Sequence, residues 1–185
     1  RWVACPDLPC TADLDNDPTE VRRRQRETLR LAERALQLGA PWPSLPVVQG
    51  RTPAQYAAHA RAYRRAGLIQ PQMGVGSLLR RPPAEIAAIC AAVRAELPHA
   101  ALHLFGVGVR LLRAGLDLTG IASFDSASWT KRFGSDLEPF KAVQCWTGWS
   151  QAKLAVRWAL PRYQQSLAEA SVSASKTARP TACAA

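Results

Sequence analysis

Two stretches in the second half of the chain decide the fold prediction: Leu102–Gly108 (LHLFGVG) and Ile121–Ser126 (IASFDS). Each is a short apolar run that ends in glycine or polar residues, and an amphipathic segment, Val109–Gly115, lies between them. This order predicts a strand, a helix and a second strand. Because active sites of parallel α/β folds lie where the strands end, Asp125 is a candidate nucleophile. The alternative is that Asp125 only caps the helix that follows.

The same alternation extends upstream. Short apolar runs predict strands at Trp2–Cys5, Leu45–Val48 and Gln72–Val75. Five strands alternating with helices indicate an α/β fold with a parallel sheet, either an open doubly wound sheet or part of a (β/α)8 barrel of the TIM type. No Gly-x-Gly-x-x-Gly motif opens the first strand–helix turn, which weakens the dinucleotide-binding option.

Three proline-headed segments predict the intervening helices. Asp17 and Thr52 each precede a proline and stand three residues before a glutamate or glutamine, which is a capping-box pattern. We expect these helices to stop at Gly39 and Gly67. The first carries an apolar stripe of Val21, Leu29, Ala32, Ala35 and Leu36. The third begins at Pro82-Pro83, with Ile86, Ile89, Cys90, Val93 and Leu97 at helical spacing.

Composition limits the class of protein. The 185 residues are enough for one domain, which we place at residues 1–170, followed by a Ser/Ala/Thr-rich tail at 171–185 that we expect to be disordered. No apolar run reaches membrane-spanning length, so we expect no membrane partner. Five cysteines, an odd number, argue against a disulfide framework and favour a reducing, cytoplasmic location.

The net charge of +10 favours a polyanionic partner. The alternative is that the arginines only solvate helix faces, since those of the first helix alternate with glutamates. Four basic residues stand close to predicted strand ends and are candidate contacts to a nucleic-acid backbone: Arg80, Arg81, Lys131 and Arg132.

Five ordered motifs at the strand ends resemble those of the tRNA-guanine transglycosylase superfamily, and most closely its DNA-modifying 7-deazaguanine branch. They are Cys5-Pro6-Asp7, Val48-Gln49-Gly50, Gly74–Leu78 (GVGSL), His103–Gly108 (HLFGVG) and Ser123–Ser126 (SFDS). The resemblance covers residues 2–158, and it implies a (β/α)8 barrel of which these strands are the fourth to eighth.

The resemblance also implies roles for individual residues. Asp125 matches the family nucleophile, while Asp7 and Gln49 match the residues that contact the base. The loop that presents backbone groups to the base reads Gly76, Ser77 and Leu78 here, and Gly106 is the remaining candidate base contact. Asp125 would attack C1′ of the sugar, expel guanine and form a covalent glycosyl-enzyme, which a 7-deazaguanine base such as preQ0 then attacks. The implied partner is DNA, with tRNA a weaker expectation, and no cofactor is implied.

Two departures from the family pattern leave alternatives open. The first three barrel strands and their acid/base aspartate are missing, so the chain is a fragment, an inactive remnant, or one part of a split enzyme whose partner polypeptide supplies those strands. The Cys-x-Cys-x-x-Cys zinc site of the tRNA enzymes is also missing, so we expect no structural metal. Other readings are a non-catalytic half-barrel subunit that binds nucleic acid, and an unrelated TIM-barrel lyase or glycosidase that uses Asp117 or Asp136 as a second carboxylate.

Overall fold

The computed structural model describes residues 2–39, 43–107, 111, 114 and 119–125. The chain divides into two compact units, of which the first contains Arg1–Val107 and Asp117–Asp125. The second, Gly108–Leu116 with Ser126–Ala185, lies almost entirely outside the described residues. The helix predicted over Val109–Gly115 therefore falls mostly outside the described part, and the predicted tail falls wholly outside it.

The described residues form short strands that all run parallel. They are β1 (Val3–Ala4), β2 (Ser44–Leu45), β3 (Val47–Val48), β4 (Gln72–Val75), β5 (Ala101–Leu104) and β6 (Ile121–Phe124). β1 pairs with β2, and the other four pair in the order β3-β4-β5-β6. The predicted α/β class with parallel strands is confirmed, and within each sheet the paired strands are consecutive along the chain.

The prediction of one strand over Leu45–Val48 is wrong at Pro46. Proline has no N–H to donate to a ladder, so pairing with β1 ends at Leu45 and pairing with β4 begins at Val47. The Pro46 carbonyl still accepts a hydrogen bond of 2.7 Å from the Gly74 N–H. The proline therefore divides the strand without separating the two segments.

The three predicted helices are confirmed: α1 (Pro18–Gln37), α2 (Pro53–Arg65) and α3 (Pro83–Glu96). The Asp17 side chain accepts the Glu20 N–H at the start of α1, and Thr52 and Gln55 form a complete capping box at the start of α2. The two helices give way to left-handed glycines, Gly39 and Gly67.

The buried face of α1 is more polar than the predicted stripe. Val21 and Ala32 are buried, but Leu29 is only partly covered, and Gln25 and Thr28 are buried with them. Each polar side chain has a partner: Thr28 Oγ1 accepts the Leu8 N–H at 3.0 Å, and Gln25 bonds to backbone carbonyls discussed below. α1 therefore packs on the sheet partly through hydrogen bonds to loop backbone.

The segments that contain α2 and α3 are related by a shift of 30 residues. Residues 51–64 (RTPAQYAAHARAYR) and 81–94 (RPPAEIAAICAAVR) share their first and last arginines, the N1 proline and four alanines. Burial follows the same pattern in both, so that Tyr56, His59, Ala60 and Tyr63 occupy the positions of Ile86, Ile89, Cys90 and Val93. α2 and α3 pack against each other, and with the buried strand residues they form the core.

Crossovers between parallel strands are right-handed in nearly all proteins. When each new strand is added on the same side of the last, this rule places the connecting helices on a single face of the sheet. The packing of α1 on α2 and of α2 on α3 agrees with that arrangement. The carboxyl ends of the strands then share one edge, which is where the candidate residues lie.

Candidate functional site

Most of the predicted site residues that the structure describes lie within three residues of the end of a strand. Asp7 lies after β1, Gln49 after β3, Gly76 after β4, Gly106 after β5 and Asp125 after β6. The strands are parallel, so these residues are all at the carboxyl-terminal edge. Lys131 and Arg132 lie outside the described residues.

A chain of hydrogen bonds joins the first three of these strand ends. The Gln49 side chain donates from Nε2 to Asp7 Oδ2, and its Oε1 accepts the Ser77 hydroxyl at 2.6 Å. Ser77 Oγ in turn accepts the Cys10 N–H at 2.8 Å. The structure therefore brings together residues far apart in sequence that the motifs had marked separately.

Gln49 is buried, and its backbone groups are hydrogen-bonded to side chains of two helices. Its side chain is 1% exposed, its backbone N–H donates to His59 Nδ1 at 2.9 Å, and its carbonyl accepts Gln25 Nε2 at 2.7 Å. Burial lowers the pKa of His59 to about 4, so this imidazole is neutral at physiological pH. His59 Nδ1 also lies 3.2 Å from the Gln49 carbonyl oxygen, and Nε2 has no partner among the described residues.

Asp7 is the partly exposed member of this group. Burial raises the pKa of its carboxyl, and the hydrogen bond from Gln49 opposes that shift. The Cys5 and Cys10 thiols nearby are buried, and burial raises the pKa of both, that of Cys10 to about 11. Both thiols are therefore protonated at neutral pH.

The loop after β4 is packed directly against Gln49. A Cβ added to Gly76 would lie 2.2 Å from Gln49 Nε2, so any side chain at position 76 collides with the amide. The Tyr56 hydroxyl donates to the Gly76 carbonyl at 2.7 Å, and the Leu78 side chain is buried. The resemblance implies that the backbone of this loop contacts the base, and the Gly76 carbonyl already has a partner in Tyr56.

Arg80 and Arg81 differ sharply in their surroundings. Arg80 is exposed, with a left-handed backbone at φ 65°. Arg81 has a side chain that is only 5% exposed, and it donates to the Ser77 and Arg51 carbonyls at 2.9 Å each. Its guanidinium also pairs with Glu85 and lies 5.8 Å from the Tyr56 ring centre. Arg81 therefore fastens the loops after β3 and β4 to each other.

Asp125 is exposed at the end of β6 and bonds to the neighbouring strand end. Its Oδ1 accepts the Gly106 N–H at 2.5 Å, and its own N–H donates to the Leu104 carbonyl at 3.1 Å. Gly106 has φ 73°, a left-handed conformation that glycine adopts without strain. The other carboxylate oxygen, Oδ2, has no hydrogen-bond partner among the described residues.

His103 lies beside this carboxylate and is hydrogen-bonded within the protein. Its Nδ1 lies 2.8 Å from Ser123 Oγ, which also accepts Gln72 Nε2 at 3.1 Å. Burial lowers the pKa of His103, and the negative charge of Asp125 partly offsets the effect.

Sequence reasoning missed the residues that support the site. Tyr56, His59 and Gln25 lie on helices and reach the strand ends through side-chain contacts, which no local motif reports. Arg81 was marked only as a possible phosphate contact. Its equivalence to Arg51 in the repeated segment was the one available signal, since both arginines precede a helix that begins with proline.

Within the described ranges, no three His, Cys, Asp or Glu side chains cluster closely enough to hold a metal ion. No helix in these ranges has both the length and the apolar character needed to cross a bilayer. Comparison of the sequence with models of known protein families and with curated proteins finds no match.

Proposed function

We propose that this chain belongs to a base-exchange transglycosylase that replaces guanine in DNA by a 7-deazaguanine base, with Asp125 as the nucleophile. The fold in this proposal is a (β/α)8 barrel, of which the chain supplies the carboxyl-terminal strands. The sequential parallel order of the strands supports a barrel, because doubly wound sheets reverse their strand order at a switch point.

One observation carries the proposal: two carboxylates of different character stand at the same edge of the strands. Asp7 is half-buried and bound to the buried Gln49 amide, which suits recognition of the N–H groups of a guanine-like edge. Asp125 is exposed, and a backbone N–H holds one of its oxygens while the other has no described partner. In this proposal Asp7 accepts hydrogen bonds from the base and Asp125 attacks the sugar.

The chemistry balances without a cofactor. Asp125 Oδ2 forms a bond to C1′ as the bond from C1′ to guanine N9 breaks, and guanine leaves with the bonding electron pair and takes up a proton. The incoming 7-deazaguanine gives up the proton of the corresponding ring nitrogen, attacks C1′ and releases the carboxylate. Two displacements retain the configuration of the sugar. The target base must be unpaired or flipped out of its duplex.

The test is a covalent trap with the full-length protein, a guanine-containing single-stranded DNA and a 7-deazaguanine base. We expect an adduct that survives denaturation and that Asp125→Asn abolishes. Asp13→Asn, a change at another exposed aspartate, serves as the control and keeps the adduct. An undiminished adduct in Asp125→Asn would remove this residue from the mechanism.

Base selection is tested separately by equilibrium binding of free guanine. Asp7→Asn places an amide where an acceptor-only carboxylate stands, and a mispaired buried polar group costs about 1–3 kcal/mol. We expect guanine binding to weaken by about one to two orders of magnitude while DNA binding persists. Equal loss of both would indicate a folding defect instead.

A second candidate function is a non-catalytic subunit that binds nucleic acid beside a partner polypeptide. The edge of β1 favours it: among the described residues β1 pairs only with β2, and Trp2 and Val3 are 45% and 47% exposed there. An unpaired parallel edge of this kind readily accepts a further strand. DNA binding without any adduct, with or without added base, would favour this second function.

A further inference from the structure

We propose that Ser77 and Gln49 are positioning residues that hold the Asp7 carboxylate in place as the hydrogen-bond acceptor for a ligand's N–H groups. This inference rests on the proposed function, because it explains how the base-recognising carboxylate of that site is oriented. It assigns Gln49 a role different from the base contact that the family resemblance implies.

Hydrogen bonds link Cys10, Ser77, Gln49 and Asp7 in series, and the groups at the two ends, the Cys10 N–H and the Asp7 carboxylate, determine the direction of each bond. The Cys10 backbone N–H can only donate, so Ser77 Oγ accepts there and sends its own hydrogen to Gln49 Oε1 at 2.6 Å. An ionised Asp7 can only accept, so Gln49 must turn Nε2 toward it. The amide therefore has one permitted orientation.

Burial separates the supporting groups from the group that meets a ligand. Gln49 is 1% exposed, and the absence of a Cβ at Gly76 is what allows its amide to lie where it does. Both polar atoms of that amide are already engaged within the protein. Asp7 is partly exposed and keeps unused acceptor capacity, since each carboxylate oxygen accepts more than one hydrogen bond.

Ser77 occupies a backbone conformation that favours glycine. Its φ is 56°, in the left-handed region, where a residue with a Cβ is strained. A serine here is explained by its hydroxyl, which makes both bonds that connect Cys10 to Gln49. Residues that keep such strain are concentrated at functional sites.

The surroundings of Asp7 make the Gln49 bond important for its charge. The ionisable groups that respond to Asp7 are Cys5, Cys10 and Tyr63, which are buried and neutral, and burial raises the pKa of each. Burial likewise raises the pKa of Asp7, and the Gln49 hydrogen bond is what lowers it. Removal of that bond therefore raises the pKa of Asp7.

The experiment measures the pKa of Asp7 by NMR titration of its side-chain carboxyl carbon in the full-length protein without ligand. We expect Gln49→Met to raise this pKa, and Ser77→Ala to raise it by a smaller amount because the amide loses its anchor. Ser44→Ala, a serine change outside the hydrogen-bond chain, leaves it unchanged. Ser77→Gly removes the hydroxyl while relieving the backbone, so it gives the same result in a variant that folds readily.

Guanine binding provides the second readout. Ser77→Ala is expected to raise the Kd for guanine about tenfold at pH 7, the effect of one lost hydrogen bond, and to move the acid limb of binding to higher pH. An Asp7 pKa unchanged in both Gln49→Met and Ser77→Gly would overturn the proposal. A shifted pKa in a protein that does not bind guanine would uphold the positioning role and refute the proposed function instead.

Discussion

Replacing Gly76 by alanine tests the packing on which the site depends. The backbone at Gly76 lies outside the left-handed region, so alanine is acceptable there on conformational grounds. Its Cβ, however, would lie 2.2 Å from Nε2, 2.8 Å from Cδ and 3.0 Å from Oε1 of Gln49. These distances are too short to persist, so the Gln49 side chain must move.

The magnitude follows from what Gln49 loses when it moves. Its amide makes hydrogen bonds to Asp7 and Ser77, and a typical bond contributes about 0.5–1.5 kcal/mol net. The amide is 1% exposed, so displacement within the protein adds overpacking, for which about 1–3 kcal/mol is usual. We expect Gly76→Ala to lower the free energy of unfolding by about 2–4 kcal/mol.

The assay is urea unfolding of four proteins: wild type, Gly76→Ala, Gln49→Ala and the double variant. Gln49→Ala removes the obstructing amide, so in that background we expect Gly76→Ala to cost less than about 0.5 kcal/mol. Gly39→Ala is the control, because its Cβ meets nothing within 4 Å and only the left-handed backbone, φ 62°, is strained. Additive effects of the two site changes would refute this explanation of Gly76.

Three further predictions concern the surroundings of the site. Tyr56→Phe leaves the Gly76 carbonyl without its 2.7 Å partner and should reduce the free energy of unfolding by about 1–3 kcal/mol, measured in urea against wild type. The pKa of His59 is about 4 in the folded protein and 6.5 in the unfolded chain, so the free energy of unfolding falls as pH drops from 6.5 toward 4. His59→Asn should flatten that part of the profile of unfolding free energy against pH. If DNA lies at the strand ends, Arg80→Glu should flatten the slope of log affinity against log salt by about 0.9 per lost duplex contact. Arg22→Glu, on α1, should leave the slope unchanged, and a larger effect of the Arg22 change would place the DNA elsewhere.

Helix and strand positions were predictable because their signals are local. A proline at the first helical turn, a side chain that caps it and a glycine at the far end act within a few residues of each other. Thr52 and Gln55 bond each other across three positions, and the structure confirms both bonds. The same locality explains the confirmed bounds of β4 at Gln72–Val75.

The hydrogen-bond chain of the site was not predictable because its partners are distant in sequence. Gln49 reaches Asp7 across 42 positions, and Cys10 reaches Ser77 across 67. Motifs at strand ends indicate only that such residues share an edge. Which of them bond, and which are buried behind others, depends on loop length and helix packing that periodicity does not report.

The break at Pro46 and the polar face of α1 were missed for a related reason. The apolar pattern of residues 45–48 is continuous, yet ladder pairing needs an N–H that Pro46 lacks. On α1, Gln25 is buried because its amide satisfies the carbonyls of Gln49 and Gln55, whereas a count of apolar positions assigns it to the surface. Backbone hydrogen-bonding needs override hydrophobic patterning in both cases.

The repeated segments show where the site departs from the scaffold that supports it. Two residues separate β3 from Arg51, whereas five separate β4 from Arg81, although the helices that follow match position by position. The longer loop contains Ser77 and Arg80, the two described non-glycine residues with left-handed backbone. Arg51 pairs with Asp15, while Arg81 turns inward and holds the longer loop by its carbonyls. Backbone strain is therefore present in the loop after β4 and not in the equivalent loop after β3. This difference is expected if the loop after β4 serves recognition, because strained residues are concentrated at functional sites.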